Sequence, residues 1–369
     1  MPPDTPPSFR VIDTGIRTGR ANMAFDQALI EARGDDQVPD TIRFLRFHPA
    51  VLVGRHQVLA HEVDLAYCHA HGIEVGRRIT GGGALYLDAG QLGWELAFRR
   101  GGLGMFDLDT AARRLCEAAA SGLRRLGIAA AYRPRNDIEV DGRKLGGTGG
   151  FFDGDLLFYQ GTVLIDVNPA AMRAALRLPA AKLAKRGLVA VTDRMVTLRE
   201  LAGGTPPDVA AVQAALLAGF ADGLGLHAVA GTVTAAEAAL AQHLYDTEIG
   251  TDAFVAGMDP PATSAPAGAV LHRPGGTIRV DLRRDAFGLI RDVLITGDFF
   301  VTPPRIVRDL EAALRGVAAG DAGAAIDRFF ATHPAAFLGL AATDLRHAVL
   351  SALPPHAAVD QYGLPNDGP

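Results

Sequence analysis

The sequence predicts an α/β (α+β) protein: a larger N-terminal α/β domain followed by a small C-terminal α+β domain. Three observations carry that prediction. Across the first two thirds of the chain, runs with apolar residues at every second position alternate with runs at helical spacing. At residues 257–268 the composition shifts to Pro, Ala and Gly, the mark of a linker. Beyond it, strand-like runs at 269–271, 276–282 and 288–295 form a meander, followed by helical patterns at 305–315, 321–332 and 342–351.

Taken in order, residues 1–8 are Pro-rich and are expected to form a loose arm. Residues 9–12 read as a first strand. Residues 22–32 read as a helix, with Met23, Ala24, Ala28, Leu29 and Ala32 at helical spacing. TIRFLRF, residues 41–47, alternates as a strand, and residues 50–53 form another after Pro49. Residues 62–71 read as a helix closed by Gly72, and 109–126 as one closed by Gly127. Residues 137–140 and 143–145 flank Asp141-Gly142, a hairpin-turn signal. Strands at 156–159 and 162–167, with helices at 169–177, 208–224 and 235–245, complete a domain spanning residues 1–256. The linker at 257–268 then leads to a small domain at 269–353, and residues 354–369 read as a disordered tail.

Composition narrows the function classes. The 369 residues are 49% hydrophobic and 21% charged, and their net charge of -5 lacks the basic excess of a nucleic-acid-binding surface. Two cysteines, Cys68 and Cys116, are too few for a disulfide framework or a four-ligand zinc site. The N-terminal stretch MPPDTPPSFR has no apolar core of the length a signal peptide needs, and no run of 18 or more apolar residues suggests a membrane span. The expectation is a cytoplasmic monomer with neither nucleic-acid nor membrane partners.

Two glycine-rich clusters carry the chemistry. The stretch RRITGGGALYLDAGQLGWELAF begins at Arg77 and reads as a β-hairpin entered through Gly81, Gly82 and Gly83. Successive backbone N–H groups in such a loop form an anion-binding nest, and Arg77 and Arg78 offer planar, bidentate donors to a phosphate. The bland alternative is a tight hairpin with two solvated arginines. Downstream, Lys144 follows the Asp141-Gly142 turn and precedes Gly146, Gly147, Thr148, Gly149 and Gly150. A lysine held by strand geometry beside an open glycine loop suits a phosphate or a developing oxyanion. Asn136 and Asp137 stand just upstream, and Asp137 is the candidate ligand for a Mg²⁺ that bridges phosphates.

These segments resemble the lipoate–protein ligases of the biotin/lipoate ligase superfamily. Upstream lies HPAVLVGRHQ; then come RRITGGGALYLDAG, RNDIEVDGRKLGG, QGTVLIDVN and KLAKRGLVAVTDRMVTL, in the family's order. A sixth segment, GGTIRVDLRRDAFGLIRDVLITGDFF, resembles the family's accessory C-terminal domain. The resemblance implies a large mixed-sheet catalytic domain and a two-step reaction. Lipoate and MgATP give lipoyl-adenylate and pyrophosphate, and the acyl group then passes to a lysine of a lipoyl carrier domain. It further implies that Arg78, Gly82, Gly83, Ala84, Leu85 and Tyr86 contact the nucleotide. Asn136, Asp137 and Lys144 would lie by the phosphates, with Lys182 and Lys185 on a loop near the adenylate. Arg78, Gly81, Gly82, Lys144, Gly146, Gly147, Thr148, Gly149, Gln160 and Gly161 would surround the lipoate, and Lys144 is the implied catalytic residue.

The chain departs from the family pattern at two places. Gln160 stands where the family often has His, and Gln does not titrate near neutral pH, so no acid–base role transfers to it. Gly146-Gly147-Thr148-Gly149 replaces a Ser-Gly-Ser/Thr-Ala-like run, which points to an altered acyl pocket or carrier choice. A ligase serving a non-standard carrier, such as a lipoate-binding protein of a sulfur-oxidising pathway, fits that departure. The rival readings are an ATP-independent octanoyl or lipoyl transferase using a cysteine nucleophile, a biotin ligase, and a lipoate- or adenylate-binding protein without catalysis. Against the transferase, Cys68 and Cys116 fall in helical patterns far in sequence from the glycine clusters and read as small buried hydrophobes.

Overall fold

The computed structural model describes residues 6–177, 194–258 and 267–353. In chain order its strands are β1 (Ser8–Arg17), β2 (Thr41–Phe47), β3 (Ala50–Val53), β4 (Glu74–Arg77), β5 (Leu85–Leu87), β6 (Gln91–Arg99), β7 (Ala131–Arg133), β8 (Asp137–Val140), β9 (Arg143–Asp153), β10 (Leu156–Leu164), β11 (His227–Ala230), β12 (Ala267–Arg273), β13 (Gly276–Arg284), β14 (Ile290–Gly297), β15 (Val301–Thr302) and β16 (Ala336–Phe337). Among the described residues, eight strands form one mixed sheet in the order β11-β1-β2-β6-β10-β9-β8-β7. Strand β1 runs parallel to β11 and β2, and the other neighbours are antiparallel.

Strand β2 shows how the sheet comes to have two different faces. Side chains alternate across a strand. Ile42 and Phe44 enter a core shared with the helices Leu108–Arg124 and Val209–Leu224, whereas Leu45 and Phe47 enter one shared with the helix Gly19–Gly34. Arg43 is fully buried and donates to Asn22 Oδ1 at 2.6 Å, to Asp26 Oδ1 at 2.5 Å and to Glu95 Oε2 of β6 at 3.0 Å. Burial, reinforced by the Asp26 charge, holds the Glu95 carboxyl well above the usual carboxylate range. A proton on Glu95 then gives a donor to Asp26 Oδ2, which has no partner otherwise.

Several sequence expectations are corrected here. Residues 77–98 form no hairpin: β5 pairs with β3, which also pairs with β4 in a separate three-stranded sheet, while β6 belongs to the large sheet. Asp88 stabilises the switch between sheets by accepting from Gly90 N at 2.9 Å and Asn168 N at 3.1 Å. Glycines 146–150 are not a loop but the middle of β9. Residues 156–164 make one strand rather than two. The helix expected at 62–71 is split into Leu59–Glu62 and Leu65–Ala70, because Asp64 caps the second piece by accepting from Tyr67 N at 2.8 Å. The hairpin at Asp141-Gly142 is present, with φ of 51° and 77° at the two turn residues.

After residue 267, β12, β13 and β14 form an antiparallel meander. The helices Ile306–Leu314, Ala322–Thr332 and Ala342–Ala352 cover it around a core that includes Ile278, Ile295, Leu310 and Leu345. The tail expected to be disordered lies outside the described residues. Among the described residues, no helix is long and apolar enough to cross a membrane.

Arg43 is the cation that offsets two buried carboxyls, so Arg43→Met is expected to lower the unfolding free energy by about 3–5 kcal/mol. Glu95→Gln keeps an uncharged partner and is expected to stay within about 1 kcal/mol of wild type. Urea denaturation measures both, and equal losses would contradict a protonated Glu95.

Candidate functional site

A cavity of about 550 Å³ opens where the small sheet, the middle of the large sheet and the small domain meet. Its first wall is the loop between β4 and β5. The loop crosses the end of β3, and its backbone is drawn inward by Arg78. That side chain is buried and donates to Leu52 O at 2.7 Å, Gly81 O at 3.0 Å and Gly83 O at 2.7 Å. Burial lowers its pKa to about 10, so it remains charged at neutral pH. Arg77 is turned the other way: its guanidinium donates to the carbonyls of Val255, Gly54 and Gln57, among others, and it does not line the cavity. The expected phosphate-binding role of Arg77 is therefore corrected to a structural one. Gly82 takes φ of 91°, a conformation that side chains rarely adopt.

The second wall comes from β8 and β9. Ile138 pairs with Gly146 but Glu139 pairs with Lys144, so Leu145 is an extra residue and β9 carries a bulge. Leu145 is buried in the core, and Lys144 lines the cavity with its Nζ 2.7 Å from Asp137 Oδ1. Asp137 Oδ2 meets Arg133 at 2.8 Å. A Cβ on Gly147 would crowd Lys144 Nζ, so glycine there makes room for the ammonium. Thr148 Oγ1 donates to Asn136 O at 2.9 Å, and the Asn136 amide donates back to Thr148 O, which locks the start of β8 onto β9.

Across the floor run Gln160 of β10 and Glu95 of β6, cross-strand partners of each other. Gln160 donates to Thr80 Oγ1 at 2.7 Å and so ties the large sheet to the glycine loop. The apolar part of the cavity comes from Met23, Leu45, Phe47, Leu52 and Leu87. The charged part, with Arg133, Arg135, Asp137 and Lys144, lies toward β7–β9. From β2 to β9 is three strand steps, about 14 Å. An amphiphile with an apolar body and an anionic head matches that polarity.

The third wall belongs to the small domain. Asp298, Phe300, Gly275 and Gly276 line the cavity, and the Phe300 ring lies against Gly82 and Gly149, where any Cβ would overlap it. This wall is held by Gly297 N donating to His56 O at 2.8 Å, by Gly82 N donating to Phe299 O at 3.2 Å, and by the His56 ring stacked on Phe299 at 5.1 Å.

The described candidate residues thus come together. Arg78, Gly81, Gly82, Gly83, Ala84, Leu85 and Tyr86 line one side, and Asn136, Asp137, Lys144, Gly146, Gly147, Thr148, Gly149, Gln160 and Gly161 line the other. Lys182 and Lys185 lie outside the described residues. Arg133, Arg135, Arg194, Glu95 and Phe300 also line the cavity and were not singled out from the sequence, although Arg135 opens the segment RNDIEVDGRKLGG, Glu95 lies in the first glycine-rich stretch and Phe300 ends the sixth segment. Cys116 is closer than its sequence position suggested. Its Sγ lies 3.2 Å from Thr148 Oγ1, behind the wall rather than on it, and burial pushes its thiol up to about 11. Burial raises the Cys68 thiol as well.

Comparison with known proteins shows the family and the fold. Residues 18–221 match the family described as the lipoyl protein ligase A/B catalytic domain. An octanoyltransferase LipM of Symbiobacterium thermophilum is 31% identical over 268 residues, covering 66% of this chain and 97% of that protein. The structure of a bi-partite lipoate protein ligase from Thermoplasma acidophilum superimposes with a TM-score of 0.61 at 25% identity, over 70% of this chain and 99% of the other. A lipoate-protein ligase A solved with bound ATP gives 0.59 at 25% identity, over 68% and 99%.

The clamp through His56 has a pH signature. Burial, helped by Arg55, Arg77 and Arg308, lowers its pKa from 6.5 to about 3. Between those values the unfolded chain binds the proton and the folded one does not, so stability falls as pH drops below about 6.5, by roughly 2 kcal/mol at pH 5 from this group. Replacing His56 with Phe keeps the stack on Phe299 and removes the proton. The variant is expected to lose less of its melting temperature than wild type between pH 7.5 and pH 5; the same loss in both would clear His56 of the effect.

Proposed function

The chain belongs to the lipoyl protein ligase A/B catalytic-domain family, and from that premise we propose that it activates lipoate with ATP and transfers the lipoyl group to a lysine of a carrier protein. The observation that supports this reading is the chemistry of the cavity wall: beside an apolar end it offers Lys144, the arginines Arg78, Arg133, Arg135 and Arg194, the carboxyl groups of Glu95, Asp137 and Asp298, and no thiol. In this reading residues 1–256 are the catalytic domain, 257–268 the linker and 269–353 the accessory domain.

The residues suit the two half-reactions. In the first, a lipoate carboxylate oxygen attacks the α-phosphorus of ATP and pyrophosphate leaves. Two anions must approach, and Lys144, Arg133 and Arg135 offset their repulsion where charge builds up. The backbone of the loop at Gly81–Gly83, shaped by Arg78, is assigned to the nucleotide. Asp137 is the carboxylate beside Lys144, and among the described residues no cluster of three metal-ligating side chains exists. Asp137 would be the residue to hold a Mg²⁺, which would supply positive charge against the phosphates. In the second half-reaction a neutral carrier amine attacks the acyl carbon, AMP departs and the amine loses a proton. The apolar part of the cavity, with Met23, Leu45, Phe47, Leu52 and Leu87, holds the acyl chain throughout. The carrier is a lipoyl domain or a lipoate-binding protein.

The second reading is octanoyl transfer without ATP, favoured by the relative of that name that aligns along 97% of its length. It needs a thiolate at the acyl carbon. Both thiols of this chain are buried and raised, which keeps them protonated and poorly nucleophilic.

Lys144→Ala is expected to lower lipoate-dependent exchange of pyrophosphate into ATP by about 10²–10³-fold while leaving the thermal transition in place. Exchange at the wild-type rate would remove Lys144 from the mechanism. Acyl transfer between carriers at full rate in the absence of ATP would select the second reading.

A further inference from the structure

Behind the glycine-rich loop lies a second cavity of about 260 Å³, separate from the one described above and lined mainly by polar surface. It sits between the turn at Arg55–His56, the segment around Glu248 and Phe254, and the start of the helix Ile306–Leu314. Arg55, Arg77 and Arg308 line it, against a single carboxylate, Glu248. The three arginines are not equivalent. Arg77 is held by backbone carbonyls and contributes field rather than free donors. Arg55 makes one long hydrogen bond, from Nη1 to Ile79 O at 3.4 Å, and among the described residues no acceptor meets its Nε or Nη2. Arg308 reaches Gly257 O at 3.3 Å and the Met258 sulfur through Nη2, leaving Nε and Nη1 without acceptors among the described residues.

A guanidinium largely taken out of water without a paired anion, as Arg55 is, is costly, and a second cation lining the same cavity, the solvent-exposed Arg308, adds to that cost. The strain shows in Arg55, whose charged form is disfavoured first by burial and then by Arg308. His56, the remaining basic group at the cavity, is held neutral and adds no charge. Glu248 acts in the opposite sense, but it is exposed and forms no ion pair with either arginine.

We propose that this cavity is a binding site for a small multivalent oxyanion of the phosphate class, held between Arg55 and Arg308. Planar guanidinium groups match phosphate oxygens in bidentate geometry, and the anion removes the repulsion between the two cations. The site bridges the two parts of the chain. Arg55 adjoins the loop that Arg78 shapes, and Arg308 stands on the helix that follows the Phe299–Phe300 wall. An anion here therefore fastens the small domain against the first cavity. The assignment does not depend on which acyl reaction the protein performs.

The test is thermal unfolding of the full chain in inorganic phosphate, compared with chloride at equal ionic strength, together with calorimetric titration of phosphate. Wild type is expected to gain melting temperature with phosphate. Arg308→Gln, at an exposed position, is expected to fold normally and to bind phosphate about tenfold more weakly, the loss of one charge-assisted contact. Arg55→Gln is expected to abolish the gain, and Glu248→Gln to tighten binding. No gain over chloride in wild type, or undiminished phosphate affinity and gain in the Arg308 variant, overturns the assignment. Stabilisation by AMP without stabilisation by phosphate places the ligand in the glycine-rich cavity and overturns it as well.

Discussion

One buried guanidinium gives the site its shape. Arg78 joins a carbonyl of β3 to two carbonyls of the loop that crosses its end. A glycine-rich segment has little of its own to hold it, since it has no side chains to pack and a large conformational entropy to lose. The arginine closes that gap from beneath, accepting burial because each of its contacts is a charge-assisted hydrogen bond. Gln160 then ties the same loop to the large sheet through Thr80. Two separate sheets thus share one cavity.

The glycines act through volume more than through freedom. Gly146 and Gly150 lie in a strand, each with a neighbouring carbonyl where a Cβ would stand, and Gly161 lies against the Trp94 ring. Gly147 leaves room for Lys144. The second cluster, read from sequence as an open loop, is a strand stripped of side chains so that strands, lysine and small domain can close around a shared space. A flexible loop would position Lys144 less sharply than a bulged strand whose partner also supplies Asp137.

Local chemistry was readable in the sequence, and long-range pairing was not. Asp141-Gly142 announced its turn because both residues must take positive φ, a demand met within two positions. The alternation in TIRFLRF announced β2 in full. The candidate residues at 78–86, 136–149 and 160–161 were found through motif order and line a single cavity. What stayed hidden depends on partners far away in the chain. Nothing near Leu85 says that it pairs with β3 rather than with β6. Nothing near Arg77 says that carbonyls at 254 and 255 will take its donors. Cys116 is 32 positions from Thr148 and in contact with it. Glu95 reads as one polar residue in an apolar strand until Arg43 and Asp26 meet it.

Phe300 fits against the bare backbones of Gly82 and Gly149, one from each half of the site. The three positions therefore form a steric unit shared by two parts of the chain. A side chain at 149 requires the ring at 300 to shift or shrink, and a side chain at 82 would meet the same ring in a backbone conformation that favours glycine. The small domain is for that reason not an interchangeable appendage. Grafting it from a relative onto this catalytic sheet, or the reverse, would bring together surfaces that had never been fitted to one another.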